Sequence, residues 1–259
     1  MCYNVNYLTK KRLEYARRLK GIIDERNLEN EFKDIFSRTG PVFFVNGFNH
    51  PDIPVITNSQ REHLQLMTWG LIPFWVKDPA QAVSLSKRTL NARGEDIFQK
   101  PSFRNAARKK RCLVLIDGFF EYHWYKEKSY PHYIKMADGE PMLLAGLWET
   151  WKYEKEAIIR HTFSIVTTEA NPMMAEIHNK PKASEGPRMP VIVPKGFEMD
   201  WLGPVDDPAG KKKVEEIIRP YDESDLIAYT VPKLQGKNGV GNVKEAICEY
   251  RYEELMERY

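Results

Sequence analysis

At 259 residues, with a 42% hydrophobic fraction and a net charge of +3, the chain has the composition of a globular protein with a sizeable core, and is too weakly basic to imply nucleic acid by itself. Three cysteines (Cys2, Cys112 and Cys248) provide neither a disulfide framework nor a metal-ligand spacing, which points to a reducing compartment and a metal-free protein. The opening stretch from Met1 to Lys20 lacks an apolar signal core and no later run is long enough to span a bilayer, so neither a secreted nor a membrane-spanning protein is expected.

In chain order, Leu13, Ala16, Leu19, Ile22 and Ile23 recur at helical spacing and predict an amphipathic helix over Thr9 to Arg26, followed by a short one over Glu29 to Phe36. Strand-like runs come next, at Val42 to Val45, Pro54 to Thr57 and Leu64 to Thr68. They lead into the bent aromatic segment Trp69-Gly70-Leu71-Ile72-Pro73-Phe74-Trp75. Phe74 and Trp75 are expected in the core and Trp69 as an exposed stacking surface. From Lys87 to Arg111 nine basic residues face only Glu95 and Asp96, a local +7 that can attract phosphates or form a solvated helix face.

Arg111 to Ile116 reads as a buried strand, followed by Asp117-Gly118, the aromatic stretch Phe119 to Tyr125, and a polar turn over Lys126 to Tyr130. His132 to Met136 and Met142 to Trp148 flank Asp138-Gly139, a hairpin signal. Strands over Phe163 to Thr168, Met189 to Val193 and Leu226 to Thr230, and helices over Phe197 to Leu202 and Gly210 to Ile218, complete the pattern. Gly236 to Gly241 reads as a mobile surface loop, since it lacks the context of a phosphate loop. Hairpins outnumber βαβ spacing, so a single α+β domain over residues 1–259 is predicted, with a mainly antiparallel, curved, barrel-like sheet flanked by helices.

Cys2 carries the most chemistry. With Met1 removed, it bears an α-amine and a thiol on adjacent carbons, with reference pKa values of roughly 8 and 8.5, so both have usable nucleophilic fractions near neutral pH. The amine can form an imine with an aldehyde and the thiol can close a thiazolidine on the same carbon; an N-terminal nucleophile can also attack an acyl group. Asn91, with a donor and an acceptor, suits an amine or a sugar oxygen, and Arg93 two residues on can clamp a phosphate. Glu121 among aromatics and His178 at the end of a short helix are proton-transfer candidates.

In combination, Met1-Cys2, Trp69-Gly70-Leu71-Ile72-Pro73, Asn91-Ala92-Arg93, Arg111-Cys112-Leu113-Val114, Asp117-Gly118-Phe119-Phe120-Glu121, Ile177-His178-Asn179 and Arg188-Met189-Pro190-Val191 resemble the SRAP family (SOS response-associated peptidases), whose members act as abasic-site processing proteins. The resemblance implies that Cys2 is a crosslinking nucleophile with Asn91, Glu121 and His178 as its polar partners. Trp69, Pro73, Arg93 and Arg188 would line a groove for single-stranded DNA containing abasic sites. It further implies a thiazolidine crosslink protecting the lesion, loss of Met1 by a cellular aminopeptidase or by autoproteolysis, and no cofactor; a monomer in the cytoplasm, associated with the nucleoid, is expected.

Two departures stand out. Tyr3 and Asn4 follow Cys2 where the family has glycine and arginine, so the fourth position offers no cation to a phosphate. Eight residues, Lys180 to Pro187, separate His178-Asn179 from Arg188 where many relatives run on directly. The alternative reading is a cysteine N-terminal-nucleophile amidase or peptidase; a third is a non-covalent DNA-binding module.

Overall fold

The computed structural model describes residues 2–180 and 186–256. Met1, and most of the Lys180 to Pro187 segment that was expected to alter contacts beside the site, lie outside the described residues. The strands are β1 (Asn4–Tyr7), β2 (Val42–Asn46), β3 (Asp52–Thr57), β4 (Gln60–Trp69), β5 (Asn91–Arg93), β6 (Arg111–Ile116), β7 (Gly118–Tyr125), β8 (Lys128–Met136), β9 (Met142–Tyr153), β10 (Ile158–Glu169), β11 (Arg188–Pro190) and β12 (Leu226–Thr230). The helices are α1 (Arg12–Leu19), α2 (Glu25–Thr39), α3 (Pro79–Ser86), α4 (Arg104–Lys109), α5 (Pro172–Ile177), α6 (Glu198–Trp201), α7 (Pro208–Ile217) and α8 (Glu253–Met256). Among the described residues no helix is long and apolar enough to cross a membrane.

The strands form two sheets. One runs β12-β8-β7-β1-β2, all antiparallel. In the other, β10-β4-β3-β6-β9 closes on itself through the β9–β10 hairpin into a five-stranded barrel, with β5 and β11 attached to the far end of β10. The predicted α+β class and barrel-like curvature are therefore observed. The two parallel pairings, β10 with β4 and with β5, are what allow one strand to serve four neighbours.

Every residue of β6 is buried, as its unbroken apolar run requires. Cys112 packs inside this strand against Gly146 of β9, where an added Cβ would lie 2.7 Å from the Cys112 Sγ. Arg111, counted in the basic segment, is fully buried. Its guanidinium donates to the carbonyls of Trp201 (2.7 Å), Ala107 (2.5 Å), Arg108 (3.0 Å) and Gly203, and burial lowers its pKa to about 10. It ties α4 to the end of α6 and offers nothing to a phosphate. Lys110 pairs with buried Glu149 from outside the segment, so the local +7 is partly neutralised in place.

Three predicted elements need correction. The Thr9 to Arg26 helix ends at Leu19, because Gly21 adopts φ +82° and turns the chain before α2 begins. Asp138-Gly139 does not close a hairpin: β8 and β9 belong to different sheets, and this turn carries the chain between them. The two-residue hairpin lies instead at Lys126-Glu127, joining β7 to β8, with both residues in the left-handed region at φ 45° and 63°. The Gly236 to Gly241 loop is pinned by Val240 N–H to the Lys233 carbonyl and Gly241 N–H to the Leu234 carbonyl.

The N-terminal arm is fastened by a buried carboxylate. Asp117, between β6 and β7, accepts from Thr9 N–H and Oγ1 (both 2.7 Å) and from the Tyr15 hydroxyl (2.6 Å). Burial pushes its carboxyl above the usual range, while the Tyr15 and Thr9 donors pull the other way. This clamp holds the end of β1 and the start of α1 against the barrel. Asp117→Ala leaves the Tyr15 hydroxyl and the Thr9 amide without their acceptor and is expected to destabilise the protein by roughly 2–4 kcal/mol. A lowered urea midpoint at unchanged m-value, with early proteolytic cleavage within the first 20 residues, is the result that checks it.

Candidate active site

The site lies at the seam of the two sheets. From the first sheet, β1 runs beside β7 with Asn4 opposite Phe120, which brings Cys2 into the neighbourhood of Glu121. From the second, β5 lies parallel to β10 with Asn91 opposite Ile165, and the Asn91 Nδ2 donates to the Cys2 carbonyl at 2.8 Å. The other amide atom of Asn91, Oδ1, is buried and has no hydrogen-bond partner among the described residues.

The fourth group arrives at the end of α5. Asn171 caps this helix by accepting from Met174 N–H, Pro172 occupies its first turn, and His178 sits at its C-cap, as the sequence predicts. The His178 Nδ1 is 3.7 Å from the Glu121 Oε2. It is also 3.2 Å from the Arg188 N–H and 3.1 Å from the Arg188 carbonyl oxygen. A bare Nδ1 accepts from that N–H; a protonated one faces the carbonyl and the carboxylate. Nδ1 thus has a partner whether or not it carries the ring hydrogen.

Burial and the nearby Glu121 carboxylate push the Cys2 thiol up to about 12. With Met1 attached, this environment does not provide the usable thiolate fraction expected of the Met1-free terminus near neutral pH: Cys2, only 1% exposed, is held as a neutral thiol.

Three of the residues assigned to the groove play other parts. Trp69 is fully buried: its Nε1 donates to the Leu90 carbonyl at 2.7 Å, its ring stacks on Phe163, and a Cβ on Gly47 would come within 2.9 Å of it. It is an internal pillar that fixes the residue before Asn91. Pro73 is also buried, whereas Phe74 and Trp75, expected in the core, are 55% and 40% exposed. The bend at Gly70, with φ +121°, turns this segment so that the first ring goes inward and the later pair outward.

Arg188 is buried as well. Its Nη2 bonds both oxygens of Glu95 (2.7 and 3.0 Å) and the Thr167 carbonyl (2.9 Å), so the guanidinium braces β11 while its main chain holds His178. Arg93 is half-buried on β5, beside Asn91.

An open cleft of about 350 Å³ leads to this cluster, lined by Tyr3, Glu121, Tyr122, Trp124, Ser129, His178 and Lys180. The Lys180 Nζ stands 5.1 Å over the Trp124 ring. Asn179 clamps its rim: Oδ1 accepts from Trp124 N–H at 2.7 Å and Nδ2 donates to the Trp124 carbonyl at 3.1 Å, replacing the missing strand partner of β7. Tyr3, Trp124, Asn179 and Lys180 were not assigned site roles from sequence. Their adjacency to Cys2, Glu121 and His178 was the available signal.

The sequence model of the SOS response associated peptidase (SRAP) family matches residues 4–238. Abasic site processing protein YoqW of Bacillus subtilis is 32% identical over 219 residues, spanning 80% of this chain and 91% of that protein. Abasic site processing protein YMR114C of Saccharomyces cerevisiae is 33% identical over 218 residues, spanning 83% of this chain and 54% of its own. A crystal structure of a Bacteroides thetaiotaomicron protein superimposes with a TM-score of 0.77 at 31% identity, covering 95% of this chain and all of that one. With a family model matched across most of its length and these relatives, the chain belongs to the SRAP family.

Proposed function

We propose that this protein processes abasic sites in DNA, and that it does so by bonding covalently through Cys2 to the lesion in single-stranded DNA once Met1 has been removed. The observation that carries the reading is the convergence of Cys2, Asn91, Glu121 and His178 from four separate segments at one seam, with Asn91 bonded to the Cys2 carbonyl and Glu121 3.7 Å from His178. The abasic-site processing names of YoqW and YMR114C support the same substrate.

The abasic sugar interconverts between a closed hemiacetal and a ring-opened aldehyde. Glu121 and His178 move the protons of ring opening. The Cys2 amine adds to the aldehyde carbon, water leaves as the imine forms, and the thiol then adds across the carbon–nitrogen bond with its proton passing to nitrogen. Asn91 orients the amine: Nδ2 holds the Cys2 carbonyl, and Oδ1, which has no partner among the described residues, accepts an amine N–H. The amine acts first and Glu121 relays the thiol proton during closure. Removal of Met1 is a hydrolysis for which the same carboxylate is available.

A denaturing gel of the protein incubated with single-stranded DNA carrying a natural abasic site tests this directly. A denaturation-resistant adduct is expected from wild type and none from Cys2→Ala, while Glu121→Gln forms it about 10²–10⁴-fold more slowly. An adduct persisting in Cys2→Ala, or none from wild type, overturns the crosslinking reading; the second outcome is the one the amidase alternative predicts.

A second expectation concerns the thiols. In the folded chain bearing Met1, iodoacetamide at pH 8 modifies exposed Cys248 and leaves buried Cys2 and Cys112 unmodified. The Cys2 thiolate fraction rises about tenfold per pH unit below 12, so its alkylation accelerates steeply as pH rises. Peptide mass mapping showing equal labelling of Cys2 and Cys248 at pH 8 contradicts the burial described.

A further inference from the structure

Three residues of β7 meet the end of α5. Glu121 faces His178, the Trp124 main chain is gripped by Asn179, and between them stands His123. His123 projects from the same strand face as Glu121, two residues on, and is only 5% exposed. Its Nδ1 lies 2.9 Å from the Glu176 carbonyl oxygen. A carbonyl only accepts, so Nδ1 carries the hydrogen in this contact and the ring donates.

Helix α5 has a use for that donor. Its six residues are too few for a stable isolated helix, and the last carbonyls of any helix lack intrahelical N–H partners. Glu176 is the penultimate residue of the helix and stands two before His178. The His178 N–H still donates to the Met174 carbonyl at 2.8 Å, so the chain leaves the helix at His178 itself, with φ −84° and ψ 56°. Where that exit falls sets the direction of the His178 ring. Unwinding of the last turn moves the exit back along the chain and takes the ring out of register with the Glu121 carboxylate.

We infer that His123 is a positioning residue for His178: its Nδ1–H caps the C-terminus of α5 from the neighbouring strand and so fixes the 3.7 Å approach of His178 to Glu121. This rests on the abasic-site reading above, in which those two residues move the protons. His123 acts at one remove, because its side chain borders not the cleft at Cys2 but a separate cavity of about 420 Å³, which it lines with His132, Met173 and Glu176. The His132 ring of β8 meets the His123 ring at 6.0 Å and an interplanar angle of 64°, which restricts its rotation away from the helix end.

The test separates positioning from binding and from folding. With saturating single-stranded DNA carrying a natural abasic site, His123→Leu, which keeps a branched side chain and removes the donor, forms the adduct roughly 10- to 100-fold more slowly than wild type. His123→Asn, whose amide nitrogen is bonded to Cγ as Nδ1 is, stays within about threefold of wild type. Affinity for a strand carrying a non-reactive tetrahydrofuran lesion agrees within about twofold among the three proteins, since the substrate contacts are untouched. Hydrogen exchange at the His178 amide speeds about tenfold in His123→Leu and recovers in His123→Asn, while the amides of β6 keep their wild-type protection.

A wild-type rate in His123→Leu overturns the inference. So does a His123→Asn variant as slow as His123→Leu, or a loss of protection in β6 equal to that at His178, which marks general destabilisation. If wild type itself forms no adduct, the crosslinking chemistry fails, and the exchange at His178 decides separately: unchanged protection in His123→Leu overturns the positioning role.

Discussion

The site depends on how the first residues of the chain are held. A chain terminus is ordinarily frayed, and a nucleophile placed there has no fixed position unless its backbone is tied on more than one side. Here β1 is sandwiched between β2 and β7, the Asp117 carboxylate anchors the residues that follow it, and the Tyr7 hydroxyl donates to the Asp52 carbonyl at the start of β3. Cys2 is thereby as well placed as a core residue. The same fastening buries its thiol, which is why positioning and thiol acidity oppose each other in this site.

The polar partners are located by secondary structure rather than by loops. Glu121 belongs to β7, Asn91 to β5, and His178 follows directly on α5, so each inherits the precision of a hydrogen-bonded element. Buried residues that never reach the cleft maintain these elements. Trp69 bonds the carbonyl preceding Asn91, and Arg188 spends its guanidinium on Glu95 and Thr167 while its backbone meets His178. The aromatic or charged character of such residues serves the geometry of others.

Much of this could be read from the chain alone where local chemistry decides. The buried strand Arg111–Ile116, the turn after Tyr125 and the helix end at His178 follow from apolar runs and short polar breaks. Helix starts were also written in the sequence: Asp78-Pro79, Asn171-Pro172 and Asp207-Pro208 each cap a helix with the acidic or amide side chain and place proline in its first turn. The Asp78-Pro79 pair marks α3, which was not among the predicted elements.

What escaped was decided by partners distant in sequence. Asp138-Gly139 has the form of a hairpin turn, yet the strands on either side find better neighbours in different sheets. Inward and outward rings in the Trp69 to Trp75 segment cannot be told apart by residue type. The single left-handed glycine between them sets their directions. Arg188 and Arg111 look like surface cations until the carbonyls and carboxylate around them are known.

Strand β10 closes the barrel through β9 and β4 and, further along, carries β5 and β11. Asn91 and the segment holding His178 are consequently cantilevered from the same beam that seals the barrel wall, so their mutual spacing is as stiff as the wall itself. Cys2 and Glu121 hang from the other sheet. The Asn91 Nδ2–Cys2 carbonyl bond and the two Asn179–Trp124 bonds are the ties that join these two sheets beside the cleft.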